Sequence, residues 1–321
     1  MIGKLPPELL EELVVGRSGT SDERVLQGPA YGEDTAAIRL DDGVLVVNTD
    51  PISLAADRVG TLGVNVACND VAASGATPEW LTSVIFLPDS DSVLDEITRQ
   101  LDTAATELGV SIVGGHTEYA PALSAPTLVL SAFGFAERYV PTSGAQPGDE
   151  LLMTKSAGIE GTAILATDFY DEVEASVPPE TVARGEACYG DVGVVTEAAV
   201  VSEHATAMHD PTEGGLLNGL LELATASGVR LEVTPESIPV RPETEALCDA
   251  VGVDPLRIFG SGALLAAVPA DSVDRLADAL AAKDIEHASI GTVRAADEPA
   301  LELGSERLTE PIRDEMYALW E

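Results

Sequence analysis

Positive charge is what this chain has least of. Its 321 residues hold 17 Lys and Arg against 55 Asp and Glu, for a formal net charge of −38. The only lysines are Lys4, Lys155 and Lys283; the other basic residues are arginines. Such a chain offers no basic surface to a nucleic-acid backbone or to anionic lipid, so neither is expected as a partner. Cysteine is scarce too. Cys68, Cys188 and Cys248 are far apart and odd in number, which excludes a disulfide framework and a metal knuckle. Aromatic residues make up only 4%. No apolar run approaches the length of a membrane span. The opening residues lack the basic and apolar regions of a signal peptide, so a cytoplasmic location is expected.

What is present is acid spread over the whole length rather than gathered in a tail. That pattern resembles a halophilic cytoplasmic protein, of the haloarchaeal kind. The length allows two domains with cores of their own. Aliphatic residues, glycine and proline are plentiful, as in a mixed α and β chain.

The most informative stretch spans residues 60–76. It predicts a helix of small residues in which Val64, Cys68 and Val71 form an apolar stripe. Asn65 and Asn69 lie four apart on another face, and Asp70 follows. Polar groups among small apolar neighbours need partners. The set serves either a ligand or metal, or the capping of neighbouring turns.

Earlier in the chain, residues 7–15 predict a short amphipathic helix. Residues 32–38 enter a short strand, and Asp41-Asp42-Gly43 forms a hairpin turn. Val44 to Asn48 predicts an apolar strand ending at Thr49-Asp50. Asp34 and Asp50 are either turn formers or, with Asp70, carboxylates converging on one cation. Beyond the small-residue helix, a strand at 80–86, a helix at 93–108 and a short strand at 111–113 lead into Gly114-Gly115-His116-Thr117-Glu118. Two glycines let a backbone approach a ligand and present free amides to phosphate oxygens. His116 is equally consistent with a structural side chain. A strand at 127–135 closes the first half.

Pro141, Gly144, Pro147 and Gly148 mark a boundary between domains at residues 1–140 and 148–321. In the second, Ser156 to Gly161 reads as a loop opening a helix, and residues 171–182 as an exposed acidic excursion. A helical pattern covers 192–202. A strand then ends at His209-Asp210, with Thr212 placed to cap the following helix and Gly214-Gly215 in its first turn. Helix N-termini attract anions, and Asp210 can join a metal cluster there. The remaining strands (230–233, 263–268, 287–293) and helices (242–250, 272–283, 311–320) alternate, which predicts layered α+β packing.

Together these motifs resemble the superfamily of aminoimidazole ribonucleotide synthetase (PurM) and the hydrogenase maturation protein HypE. Thiamine-monophosphate kinase and selenophosphate synthetase belong to it as well. The residues carrying the likeness are Gly32 to Ala37, Asn48-Thr49-Asp50, Asn69-Asp70 with Ala72 to Ala76, Gly114 to Thr117, and Asp210 to Gly215. The last element and the Asn-Asp helix look most like HypE.

The resemblance implies an α+β, two-domain PurM/HypE-like fold. Its N-terminal domain would contribute to an intersubunit β-barrel in a homodimer, and its C-terminal domain would be a layered α/β unit. It implies ATP and Mg²⁺ as cofactors, with metal held by Asp34, Asp50, Asp70 and Asp210. Asn65, Asn69, Gly114, Gly115, Thr117, Glu118, Thr212 and Gly214 would line the nucleotide, and His116 and Asp210 would act on the acceptor. The implied reaction phosphorylates a carbonyl- or amide-type oxygen, or a phosphate, of a small-molecule substrate. A kinase of the thiamine-phosphate type is the alternative, and a nucleotide-binding scaffold with a maturation-protein partner is a third.

Three departures stand out. No cysteine follows Cys248, so the self-modification of a HypE C-terminus is not expected. His116 replaces the usual acid after the glycine pair, as in selenophosphate synthetases, although their reactive N-terminal cysteine loop is missing. The first motif reads Gly32-Glu33-Asp34, so only Asp34 carries over.

Overall fold

The computed structural model describes residues 3–88, 90 and 92–321. Two sheets divide these residues. The first has the strands β1 (Val25–Gln27), β2 (Ala36–Leu40), β3 (Gly43–Ile52), β4 (Thr77–Leu87), β5 (Ser111–Tyr119) and β6 (Thr127–Ala136). Their order is β1-β2-β3-β6-β4-β5, with only β4 and β5 parallel. The second has β7 (Asp149–Thr154), β8 (Ala207–His209), β9 (Val229–Val233), β10 (Leu265–Pro269), β11 (His287–Ala295), β12 (Ala300–Leu303) and β13 (Glu306–Leu308), ordered β13-β12-β9-β11-β7-β10-β8.

The small-residue helix runs from Val59 to Ala73 and is buried on nearly every face. One apolar stripe was expected; the helix instead packs on β3 and β6, on the Leu94–Leu108 helix, and on the Val195–Val201 helix of the other half. A helix buried all round needs small residues at its contacts. A Cβ on Gly60 would meet the Ile97 carbonyl oxygen at 2.7 Å. Asn69 ties the two halves together. Its amide donates to the Val192 carbonyl at 2.9 Å and its oxygen accepts from the Val194 N–H at 2.8 Å. Glu33 adds a second tie, accepting from the backbone N–H of Thr142 and Ser143 in the linker.

Several expectations need correction. Strand β3 does not end at Asn48 but continues through Asp50 to Ile52, paired with β6 along its length. The strand expected at 111–113 does not stop there: residues 114–118 are the second half of β5, because β4 continues beside them to Leu87. Residues 171–182 are mostly exposed, as expected, but they are anchored: Val173 and Val182 are buried in the Tyr170–Val173 and Pro179–Ala187 helices, and Val177 is buried between them. Only Tyr317–Trp320 of the last predicted helix is helical. Asp314 stops the rest by accepting from the N–H groups of Met316 and Gly214. The β12–β13 hairpin was not expected.

Candidate functional site

Strand alternation sets the first wall of the site. Val44, Val46, Asn48 and Asp50 share one face of β3, since side chains repeat every second residue. The valines enter the core beneath the Val59–Ala73 helix, and the same row delivers Asn48 and Asp50 to its C-terminal half. There the Asn48 amide donates to Asp70 and, at 3.4 Å, to Asp50. It also reaches the Asp34 carbonyl at 3.3 Å, fixing the turn before β2.

The second sheet supplies the opposite wall. Asp210 follows β8 and meets the others across the junction of the two halves. Carboxylate oxygens of Asp34, Asp70 and Asp210 all lie within 4.8 Å of one another. Asp210 is only 1% exposed, and its Oδ2 has no hydrogen-bond partner. The Asn48 Oδ1 is likewise buried and unpartnered. Burial, and then the charges of Asp210, Asp50 and Asp34, push the Asp70 carboxyl well above its usual range. Burial pushes Asp210 up to about 7, with Asp34 and Asp50 adding to it. Burial raises Asp50 as well. Three acids raised together in this way, beside a fourth, call for a cation.

Asp34 differs from its neighbours because it has one. Its carboxylate sits 3.3 Å from Nδ1 of His209, whose Nε2 lies 3.1 Å from Glu222 on the Gly215–Ser227 helix. Burial would lower the imidazole pKa, but the hydrogen bonds and charges of Asp34 and Glu222 carry it up to about 10. Burial would raise Asp34, yet His209 and then Lys4 draw it below the ordinary carboxylate value. Lys4 completes the set. Its Nζ lies 3.3 Å from Glu222, 3.5 Å from Glu213 and 3.4 Å from the Thr212 hydroxyl. Burial opposes the ammonium, but Glu222, Glu213 and Asp34 hold its pKa well above the usual value.

These groups open on a cavity of about 410 Å³ whose walls include Lys4, Asp34, Asp50, Asp70, Glu160 and Ser261. Residues 51–55 also line it. The loop after them is pinned by Asp168, which accepts from the N–H groups of Ala56 at 2.8 Å and Asp57 at 3.0 Å.

Not every residue singled out from the sequence is here. Asp34, Asp50, Asp70 and Asp210 converge. Asn69 and Asn65 do not line the cavity: Asn69 is occupied by the backbone of residues 192–194, and the Asn65 amide donates to the Thr61 carbonyl of its own helix. Gly114, Gly115, His116, Thr117 and Glu118 lie on the exposed edge strand β5, outside this cavity. Gly115 has φ +155, and a Cβ there would meet the Ser83 carbonyl oxygen at 2.0 Å, so close strand approach alone accounts for that glycine. His116 faces Glu118 at 3.2 Å. Thr212 lines the cavity but does not cap the Gly215–Ser227 helix. Gly214 takes the cap position at φ +80, and its N–H donates to Asp314. Sequence reading missed Lys4, Asn48 as a clamp, His209, Glu160, Glu222 and Ser261. The charge count did offer a signal for Lys4, as one of three lysines in an acidic chain.

Converging aspartates at the junction of two α+β domains define the class. The chain belongs to the AIR synthase related protein family: its N-terminal domain matches over residues 32–136 and its C-terminal domain over residues 146–304. The expected two-domain α+β fold is the one observed, and the family's members include enzymes. Within it, the chain is 31% identical over 311 residues to the carbamoyl dehydratase HypE of Azotobacter vinelandii, covering 92% of this chain and 86% of that one. It superposes on HypE from a HypE–HypF complex with a TM-score of 0.76 at 22% identity, over 94% of this chain and 98% of that one. It also matches a ThiL protein complexed with AMPPCP and TMP, with a TM-score of 0.77 at 19% identity, over 98% of this chain and 100% of that one. No helix among the described residues is long and apolar enough to cross a membrane.

Proposed function

We propose that this chain is an ATP- and Mg²⁺-dependent enzyme that phosphorylates a carbonyl- or amide-type oxygen, or a phosphate, of a small substrate. The observation that carries the reading is the buried, unpartnered Oδ2 of Asp210 beside Asp34 and Asp70. A hard, oxygen-seeking divalent ion fits that donor set. Asp34, Asp50, Asp70 and Asp210 would hold it, and bound Mg²⁺ would neutralise charge on the phosphates.

The chain's own residues do the positioning. Asn48 orients Asp70, and the clamp of Asp34, His209 and Glu222 fixes the two domains around the cluster. Lys4 is the cation of the cavity wall and binds phosphate oxygens there. The pinned loop and the apolar wall keep water from the reacting groups.

The likeness to a carbamoyl dehydratase favours an amide-type acceptor, and the likeness to HypE in a HypE–HypF complex supports a maturation-protein partner. The exposed edge of β5 supports a homodimer whose barrel is completed by a second copy. In it, Gly114 to Glu118 would reach the partner's nucleotide, with His116 beside the acceptor.

The test is ADP release from the full chain with Mg-ATP and a metabolite panel in molar KCl, joined to calorimetry of Mg-ATP binding. Asp70→Asn and Asp50→Asn should each weaken Mg-ATP binding about tenfold or more while the fold persists, since each removes a charged ligand. Unchanged affinity in both would overturn the metal assignment. Phosphate transfer to thiamine phosphate would move the reading to the kinase. Tight ATP binding without turnover, with a co-purifying partner, would move it to a scaffold.

A further inference from the structure

Lys155 is a cation that the cavity does not use. It follows β7, does not line the cavity, and its side chain is only 12% exposed. An ammonium has three N–H donors, and three oxygens stand 2.7 Å from this one: the carbonyls of Asp191 and Gly193, and Oε1 of Glu197. Glu197 is buried as well, in the first turn of the Val195–Val201 helix. Burial draws the Lys155 pKa below its usual value, and the charge and hydrogen bond of Glu197 oppose this.

The backbone is strained to make these contacts. Lys155 has φ +54, in the left-handed region that favours glycine. Asp284, the other non-glycine residue with positive φ among those described, sits just past the Val273–Ala281 helix, where that conformation is ordinary. Lys155 follows a strand and ends no helix. Strain of this kind persists only where the surroundings demand it. The segment that Lys155 grips has a second task. Its carbonyls at 191 and 193 go to Lys155, whereas the Val192 carbonyl and the Val194 N–H go to Asn69 at 2.9 and 2.8 Å. Gly193 lets the segment lie close to the same helix, since a Cβ there would meet Asn65 Oδ1 at 2.8 Å. Asn69 immediately precedes Asp70. Asp70 belongs to the first domain and Asp210 to the second, so residues 191–194 are a joint between the two halves of the aspartate cluster.

We propose that Lys155 is a positioning residue of the metal site: its ammonium locks residues 191–197, and through Asn69 that lock holds the Asp70 helix in register with Asp210. This role rests on the reading of the four aspartates as an Mg-ATP site. Lys155 touches neither metal nor nucleotide and acts only through the segment it grips. Its three contacts are short, charge-assisted and shielded from water, so they fix a backbone that would otherwise be held by neutral hydrogen bonds alone.

The test compares Lys155→Gly with the native full chain in molar NaCl. Glycine suits φ +54 and leaves the three oxygens open to a free ammonium ion. Calorimetry should show Mg-AMPPNP binding weakened about tenfold or more, the usual loss when a partner behind a metal ligand is removed. Methylammonium chloride in place of part of the NaCl should restore most of that loss, because it brings three N–H donors. Tetramethylammonium, which has none, should restore nothing, and neither salt should alter the native affinity. Exchange of the Val194 amide hydrogen, followed by NMR, should quicken in the variant and slow again with methylammonium. Asn69→Ala should also weaken Mg-AMPPNP binding. Combined with Lys155→Gly it should lose less than the two losses multiplied, because both act through one segment. A purely structural role would lower the thermal midpoint and leave the affinity unchanged, and that result would overturn the proposal. Equal rescue by both salts, or losses that multiply, would overturn it too. If Lys155→Gly fails to fold, Lys155→Met, which keeps the stem and drops the charge, decides on affinity. A native chain that does not bind Mg-AMPPNP would overturn the Mg-ATP reading instead, and the Val194 exchange would still judge the lock.

Discussion

Replacing Asp210 by asparagine should make the metal-free protein more stable and leave it unresponsive to Mg²⁺. In the fold, burial and the neighbouring acids push the Asp210 carboxyl up to about 7. In the unfolded chain it titrates near 3.9. A carboxyl raised in this way favours the folded state fully below about pH 4, and that contribution is lost as pH rises to about 7. Above that, the ionised group costs about 4 kcal/mol relative to the unfolded chain. Asparagine removes the charge and keeps the shape, but buries an amide at a cost of roughly 2 kcal/mol. The net gain at pH 8 is therefore about 2 kcal/mol, or about 4 °C in thermal midpoint for a chain of this size. Near pH 4 the gain should vanish, because the native carboxyl is then protonated too. Saturating Mg²⁺ reverses the order: at one hundred times its Kd it adds about 2.7 kcal/mol to the native protein, and little to a variant lacking the ligand. Differential scanning calorimetry at pH 4 and 8, with and without Mg²⁺, reads all four states. An Asp210→Asn protein no more stable than the native one at pH 8 without Mg²⁺, or stabilised equally by the ion, would refute the cation-starved cluster.

Three further outcomes follow. Lys4→Ala should weaken ATP binding about tenfold and also lower thermal stability, because the buried Glu222 loses one of its two cationic partners; calorimetry of ATP binding checks this, and equal affinities would remove Lys4 from the site. Thermal stability should rise steeply from low to molar KCl, since the Debye length falls from about 10 Å at 0.1 M to about 3 Å at 1 M and relieves a net charge of −38; a midpoint flat or falling in KCl would end the halophilic reading. Light scattering in high salt should find a dimer, and Val113→Lys, on the exposed face of β5, should shift it toward monomer; a native monomer would argue against the shared barrel.

Local pattern was enough for part of this. The small-residue run at 60–76 and the apolar strand from Val44 each carry their information in neighbouring residues, so helix and strand were legible. Asp34, Asp50, Asp70 and Asp210 were legible as candidates because carboxylates sit oddly beside apolar strands and helices. Other features were not, because they depend on what lies across the fold. Asn69 looks like a ligand residue in sequence and is a tie between domains in space, since only packing brings residues 192–194 to its amide. Residues 114–118 look like a phosphate-binding stretch and form an edge strand, because β4 runs long enough to pair with them. Lys4, His209 and Glu222 are separated by up to 218 positions, yet they make one ionic cluster. Sequence by itself determined most of the elements and which acids stand out as candidates. The tertiary structure alone decided which side chains answer them, because a buried charge takes its partner from whatever the two sheets bring within a few ångströms.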